Sequence, residues 1–135
     1  MTGHKIKHLE GYKRKASFIP SGSYSKRKRA KRILKYIEVE KNPNLIKSVL
    51  RDSPDSVIKG ICNIALNAAN GDVHLTPNQK KVINRKRKVI RYLVDPKKSI
   101  KKKRALLNQR GNGLFLPLLI SAVVASLGSA IFPQK

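Results

Sequence analysis

Acidic residues are scarce in this chain, and one stretch has none. Against 31 Lys and Arg stand seven Asp and Glu, for a formal net charge of +24. No acid falls between Asp72 and Asp95. A surface so unbalanced repels itself and attracts polyanions. Nucleic acid is the first class of partner it suggests and an anionic membrane surface the second. Cysteine is almost missing. The one thiol, Cys62, cannot close an internal disulfide and lies in an apolar run, which predicts a buried structural thiol in an intracellular setting. No apolar h-region occupies the first residues, so a secretory signal peptide is not expected. Strand-type alternation is absent.

A catalytic set is missing too. Asp52, Asp55 and Asp72 fall at predicted helix ends, where capping accounts for them. Cys62 has no flanking base, His74 is placed in a turn, and no phosphate-loop glycine pattern occurs. His4 and His8 stand four residues apart, but two histidines without a cysteine or an acidic pair do not complete a zinc ligand set. An enzyme, a metal site and a cofactor are therefore not expected.

What is there is basic charge in two blocks. Residues 1–32 carry eleven cations and one acid, residues 33–76 five of each, and residues 77–110 fourteen cations and one acid. The first 25 residues show no sustained period and are rich in Gly, Ser and Lys, which predicts a disordered basic arm. From there on, capping residues and prolines punctuate the chain. Asn42-Pro43, Ser53-Pro54 and Thr76-Pro77 each place a side-chain acceptor at an N-cap and proline at the first helical position. Asp95-Pro96 ends a segment, and Ser99 is placed to cap another.

Between these marks the apolar residues recur at helical spacing. Residues 27–41 bring Ile33, Leu34 and Ile37 to one face; residues 43–51 do the same with Leu45, Ile46, Val49 and Leu50. Residues 54–69 are apolar nearly all round, which predicts the central core helix, ended by Gly71. Residues 77–94 carry a narrow stripe of Val82, Ile83, Val89, Ile90, Leu93 and Val94 in an otherwise cationic circumference. Residues 99–109 add a helix with Ile100, Ala105, Leu106 and Leu107 inward. The fold class is all-α: a small bundle of four to five short helices, with a disordered basic arm and an apolar C-terminal helix. Its plan is an arm over 1–26, a helical basic domain over 27–109, a glycine junction at 110–113 and a hydrophobic tail over 114–135. So small a core, carrying so much like charge, is marginal; polyanion binding stabilises it by linkage.

Two constellations carry the candidate nucleic-acid contacts. The first is KRKRAKR, with Lys26, Arg27, Lys28, Arg29, Lys31 and Arg32, which reads as a nuclear localisation signal, a phosphate clamp or both. Cations at a helix N-terminus oppose the macrodipole, so another demand keeps them there. The second comprises Lys80, Lys81, Arg85, Lys86, Arg87, Lys88 and Arg91, followed by Lys97, Lys98, Lys101, Lys102, Lys103 and Arg104. An ordinary surface helix alternates signs; a face that excludes acids is suited to lie along a phosphate backbone and release counterions. Helices 54–69 and 77–94 also admit a helix-turn-helix reading, with Gln79 and Asn84 as the amides poised to read bases. Non-specific phosphate contact is the better supported.

Residues 114–132 hold no charge. As a helix they would run roughly 28 Å, close to the hydrocarbon thickness of a bilayer. Ser121, Ala122, Ala125 and Gly128 supply small residues for close packing in lipid. Three fates are open: a membrane span, a hydrophobic anchor for protein partners such as capsid proteins, or a segment active on membranes once exposed.

The junction RGNGLFLPLLISAVVASLGSAIF is similar to the C-terminal end of the adenovirus core protein X (mu) precursor, where an arginine-rich segment runs through glycines into a Leu-Pro-Leu-Leu motif and a small apolar tail. Here Gly111 and Gly113 flank Asn112, and residues 116–119 read Leu-Pro-Leu-Leu. The stretches LTPNQKKVINRKRKVIRYL, SIKKKRALLNQRGNG and FLPLL resemble basic proteins of Maverick/Polinton-type elements and adinto-like viruses. The resemblance implies a structural core protein that binds and condenses double-stranded DNA in a virion and in the host nucleus. It also implies maturation by an adenovirus-type protease at Gly111-Asn112-Gly113, with Gln109 where such proteases prefer Met, Leu or Ile. Its alternatives are a membrane-anchored or membrane-active minor capsid protein and a helix-turn-helix regulator.

Overall fold

The computed structural model describes residues 24–71, 73–109 and 112–127. The predicted arm up to residue 23, the histidine pair, Arg110, Gly111 and residues 128–135 lie outside the described residues. Within them the chain is all helical, with seven α-helices and one 3₁₀ turn. The count exceeds the expected four to five helices and apolar C-terminal helix because residues 77–94 form two helices.

Helix α1 (Tyr24–Val39) begins inside the predicted arm and buries Ala30, Leu34 and Ile37, a spacing of four and then three residues that draws one stripe down the helix. The stretch between α1 and α2 is held by Glu40, whose carboxylate accepts the Asn42 N–H at 3.0 Å. That bond, with one from Tyr36, holds the Glu40 carboxyl below the ordinary glutamate range. Helix α2 (Pro43–Asp52) starts as its sequence predicts: Asn42 Oδ1 accepts the Asn44 N–H at 2.9 Å, and proline follows the cap. Ile46 and Leu50 are buried, but Leu45 stays exposed.

Helix α3 (Asp55–Ala69) is the core helix. Eleven of its residues are buried, Cys62 among them, and its C-terminal turn is closed by Gly71 at φ 79°, a left-handed conformation that glycine adopts without penalty. Its start differs from prediction. Ser53 does not cap it: the Ser53 hydroxyl donates back to Leu50 O at 3.1 Å, and Pro54 occupies the cap position with no side-chain bond. Ser53 is instead part of the end of α2.

Helix α4 (Pro77–Arg85) opens on a full capping box. Thr76 Oγ1 accepts the Gln79 N–H at 3.1 Å, and Gln79 Oε1 accepts the Thr76 N–H at 2.9 Å. The single helix expected over 77–94 breaks at Lys86, at φ −101° and ψ 19°, and resumes as α5 (Arg87–Val94). The break lets α4 pack against α7 while α5 packs against α3. Ile83 and Ile90 both stay buried across it, so the apolar stripe runs on through the bend. Helix α6 (Ile100–Leu107) starts on Ser99, whose Oγ accepts the Lys102 N–H at 3.1 Å. Its inward face is Ile100, Lys103 and Leu107 rather than the run ending at Leu107, and Ala105 is exposed.

The apolar C-terminal segment departs furthest from expectation. A 3₁₀ turn (Asn112–Phe115) leads into α7 (Leu116–Leu127), and Leu116, Leu119, Ile120 and Val123 are wholly buried. Helix α7 packs against α1, α3 and α4. The boundary drawn at 110–113 between a domain and a tail therefore does not separate two cores; Phe115 and α7 complete one. No helix among the described residues is long and apolar enough to cross a membrane.

Around α3 the neighbours follow in the order α1, α7, α5, α6. Helix α4 closes the seam between α7 and α5, and α2 closes the seam between α6 and α1. The two basic blocks, carried by α1 and by α4 to α6, thus stand on different sides of the central helix.

Candidate nucleic-acid interface

An amphipathic helix that gives one stripe to the core leaves its other positions to solvent, and here cations fill those positions. On α5 the core takes Ile90, Leu93 and Val94, and Arg87, Lys88 and Arg91 are exposed on the opposite side. On α4, Lys81 and Arg85 stand one turn apart in solvent, and Lys80 is half-buried. Lys97 in the following turn and Lys101 and Lys102 on α6 are exposed as well. Asp95, the acid that ends the acid-free stretch, faces its own turn and accepts the Lys97 N–H at 2.9 Å. On α1, Lys28, Arg29 and Arg32 are exposed at one-turn spacing and Lys31 is half-buried. Lys35, absent from the predicted set, is exposed on the same helix. The side chains of Lys26 and Arg27 lie outside the described residues.

Several of the predicted phosphate contacts have partners within the protein; exposed Arg87, for one, donates from Nη1 to Asn84 O at 3.2 Å. Lys103 is 6 % exposed and sits on the inner face of α6. Arg104 is a brace: its Nη1 donates to Leu50 O and Ser53 O at 2.7 Å each and to Ser53 Oγ at 3.2 Å, and its Nη2 donates to Asp55 Oδ1 at 2.5 Å. One guanidinium so ties α6 to the end of α2 and the start of α3. Its planar fork suits this task, since several donors leave it in fixed directions. Lys86 is half-buried at the α4–α5 bend and its Nζ reaches Asn112 Oδ1 at 3.4 Å. Lys98 lies over the Tyr92 ring, 5.2 Å from the centroid, a cation–π contact that fixes its position.

The predicted processing site is also structural where it is described. Asn112 Nδ2 donates to Leu106 O at 2.9 Å while its backbone N–H donates to Gln109 O at 2.7 Å. Gly113 is buried; a β-carbon there would lie 3.1 Å from Leu50 Cδ1, 3.3 Å from Leu107 O and 3.4 Å from Ile46 Cγ2. Close packing of the 3₁₀ turn onto α2 and α6 thus accounts for this glycine, whatever recognises it. The bond after Asn112 lies in that turn, a poor shape for a protease cleft that takes extended chain.

The base-reading amides divide. Gln79 is committed to the capping box of α4, and Asn84 is exposed one residue before that helix ends. A helix-turn-helix would offer one unbroken recognition helix; here the second helix bends at Lys86.

The brace at Arg104 had no sequence signal as such. Its acceptors lie about fifty positions earlier, and nothing in local spacing links them. The exposed cations between Asp72 and Asp95, by contrast, were legible from the exclusion of acids there. Compared with protein-family models, with curated proteins and with solved structures, the chain matches none.

Proposed function

We propose that this protein binds double-stranded DNA without sequence preference, through phosphate contacts, and condenses it as a structural core protein of a virus or virus-derived element. The observation that carries the reading is the run of exposed cations over α4, α5 and α6: Lys81, Arg85, Arg87, Lys88, Arg91, Lys97, Lys101 and Lys102, with no acid between Asp72 and Asp95. A face of that composition gains by releasing the counterions condensed on a duplex. The viral part of the reading rests on the sequence resemblance, which covers roughly residues 55–120. The burial of α7 speaks against the membrane-anchored reading, because those apolar residues already serve the core. The bend at Lys86 speaks against the regulator.

The test is a salt titration of binding to unrelated duplexes of equal length. Affinity falls with a log–log slope of about −5 or steeper, roughly a thousandfold between 50 and 200 mM salt. A slope near zero, or one duplex strongly preferred over the others, overturns the proposal.

A further inference from the structure

The cations are distributed on two faces, and this bears on how a phosphate-binding chain would condense DNA. Helix α1 packs against α2, α3 and α7, whereas α5 packs against α3, α4 and α6. Going round α3 either way from α1, another helix intervenes before α5: α7 with α4 on one side, α2 with α6 on the other. The two faces are therefore carried by one core yet separated by a helix diameter. Packed helix axes stand about 8–10 Å apart, so two helices diagonal across a third have axes nearly twice that apart. That exceeds the screening length of about 8–10 Å at moderate salt, so each face meets a polyanion independently. Each presents the same triad at one-turn spacing: Lys28, Arg29 and Arg32 on α1, and Arg87, Lys88 and Arg91 on α5, all exposed. The neutral middle of the sequence, residues 33–76, supplies α2 and α3 between them.

Resting on the phosphate-binding reading, we infer that a single chain is a two-sided bridge: the α1 face holds one duplex segment and the α5 face a second. Condensation then needs no oligomer. A single-face binder would coat a duplex and neutralise it; a two-faced one draws segments together at a fixed separation. The two triads are equivalent in this scheme, and either alone suffices for attachment to one duplex.

The experiment is a sandwich capture with the full chain. A short duplex is immobilised, saturated with protein and washed, and a second, labelled duplex of unrelated sequence is added. Wild type retains the second duplex. The variants K28Q/R29Q/R32Q and R87Q/K88Q/R91Q both bind the immobilised duplex, and each retains at least tenfold less of the labelled one; circular dichroism confirms that both are folded. Capture at the wild-type level by either variant overturns the two-sided bridge between the α1 and α5 triads, because the second contact then lies elsewhere, in the N-terminal cations, in the remaining cations of α4 and α6 or in a second copy. Wild type that binds the first duplex but never retains the second overturns the bridge alone. Wild type that binds neither overturns the phosphate-binding reading and the bridge with it.

Discussion

Arg104 and Lys102 are two residues apart on one helix and do opposite work. Lys102 is exposed, so it contributes field and no packing. Arg104 satisfies two backbone carbonyls at the end of α2, and its side chain is 19 % exposed. Hydrogen bonds from a charged donor are worth about 1.5–3 kcal/mol; without Arg104, Ser53 O loses this donor while Leu50 O keeps the Ser53 hydroxyl. The Asp55 arm of the brace counts for less, because that carboxylate is 70 % exposed. Arg104→Ala therefore lowers unfolding stability by about 2–4 kcal/mol and leaves the salt slope of DNA binding nearly unchanged. Lys102→Ala leaves stability within about 0.5 kcal/mol and reduces the slope by close to one unit if it meets a phosphate. Chemical denaturation and salt titration of the two variants check both halves; an Arg104→Ala protein as stable as wild type would remove the brace. Composition ranks these two cations alike. Only the tertiary structure, which sets Arg104 beside residues 50–55, separates them.

At the scale of elements, local chemistry was legible and long-range placement was not. The caps at Asn42, Thr76 and Ser99 form as the residue pattern predicts, because a cap depends on three or four neighbouring residues. The bend at Lys86 escaped, because a stripe that keeps Ile83 and Ile90 inward is the same for one helix as for two. Charge-free length was the misleading signal at the C-terminus. An apolar run reads alike whether it meets lipid or a protein core, and here the core of a small bundle takes it up. The consequence is energetic. Phe115, Leu116, Leu119, Ile120 and Val123 are each at most 4 % exposed. Burying such a side chain contributes about 1.5–3 kcal/mol, so together they rival the whole stability of a small domain, about 5–15 kcal/mol. A chain ending at Gln109 should lose its cooperative thermal transition and most of its helical circular dichroism, and Leu119→Ala should cost about 2–5 kcal/mol. A truncated chain that still melts cooperatively would mean that α7 is an appendage after all.

At the scale of the whole molecule the net charge of +24 sets folding and binding in opposition through salt. The neutral core must hold together helices whose outer faces repel one another. Raising ionic strength from about 10 to 150 mM shortens the screening length from about 30 to 8 Å and so relieves that repulsion. The free protein should then melt about 4–8 °C higher, the shift that roughly 1 kcal/mol produces in a domain of this size. On the proposed phosphate-binding reading, a complex with duplex DNA should behave in the opposite sense. At low salt, duplex in hundredfold excess over its dissociation constant adds about 2.7 kcal/mol, or roughly 10–20 °C, and added salt removes that gain as it weakens binding. Melting curves recorded with and without duplex across this range should converge from opposite directions. A free protein whose melting temperature is flat or falls with salt would show that self-repulsion is not what limits its fold. A polyanion would then act only as a ligand, and the two basic faces would owe the core nothing.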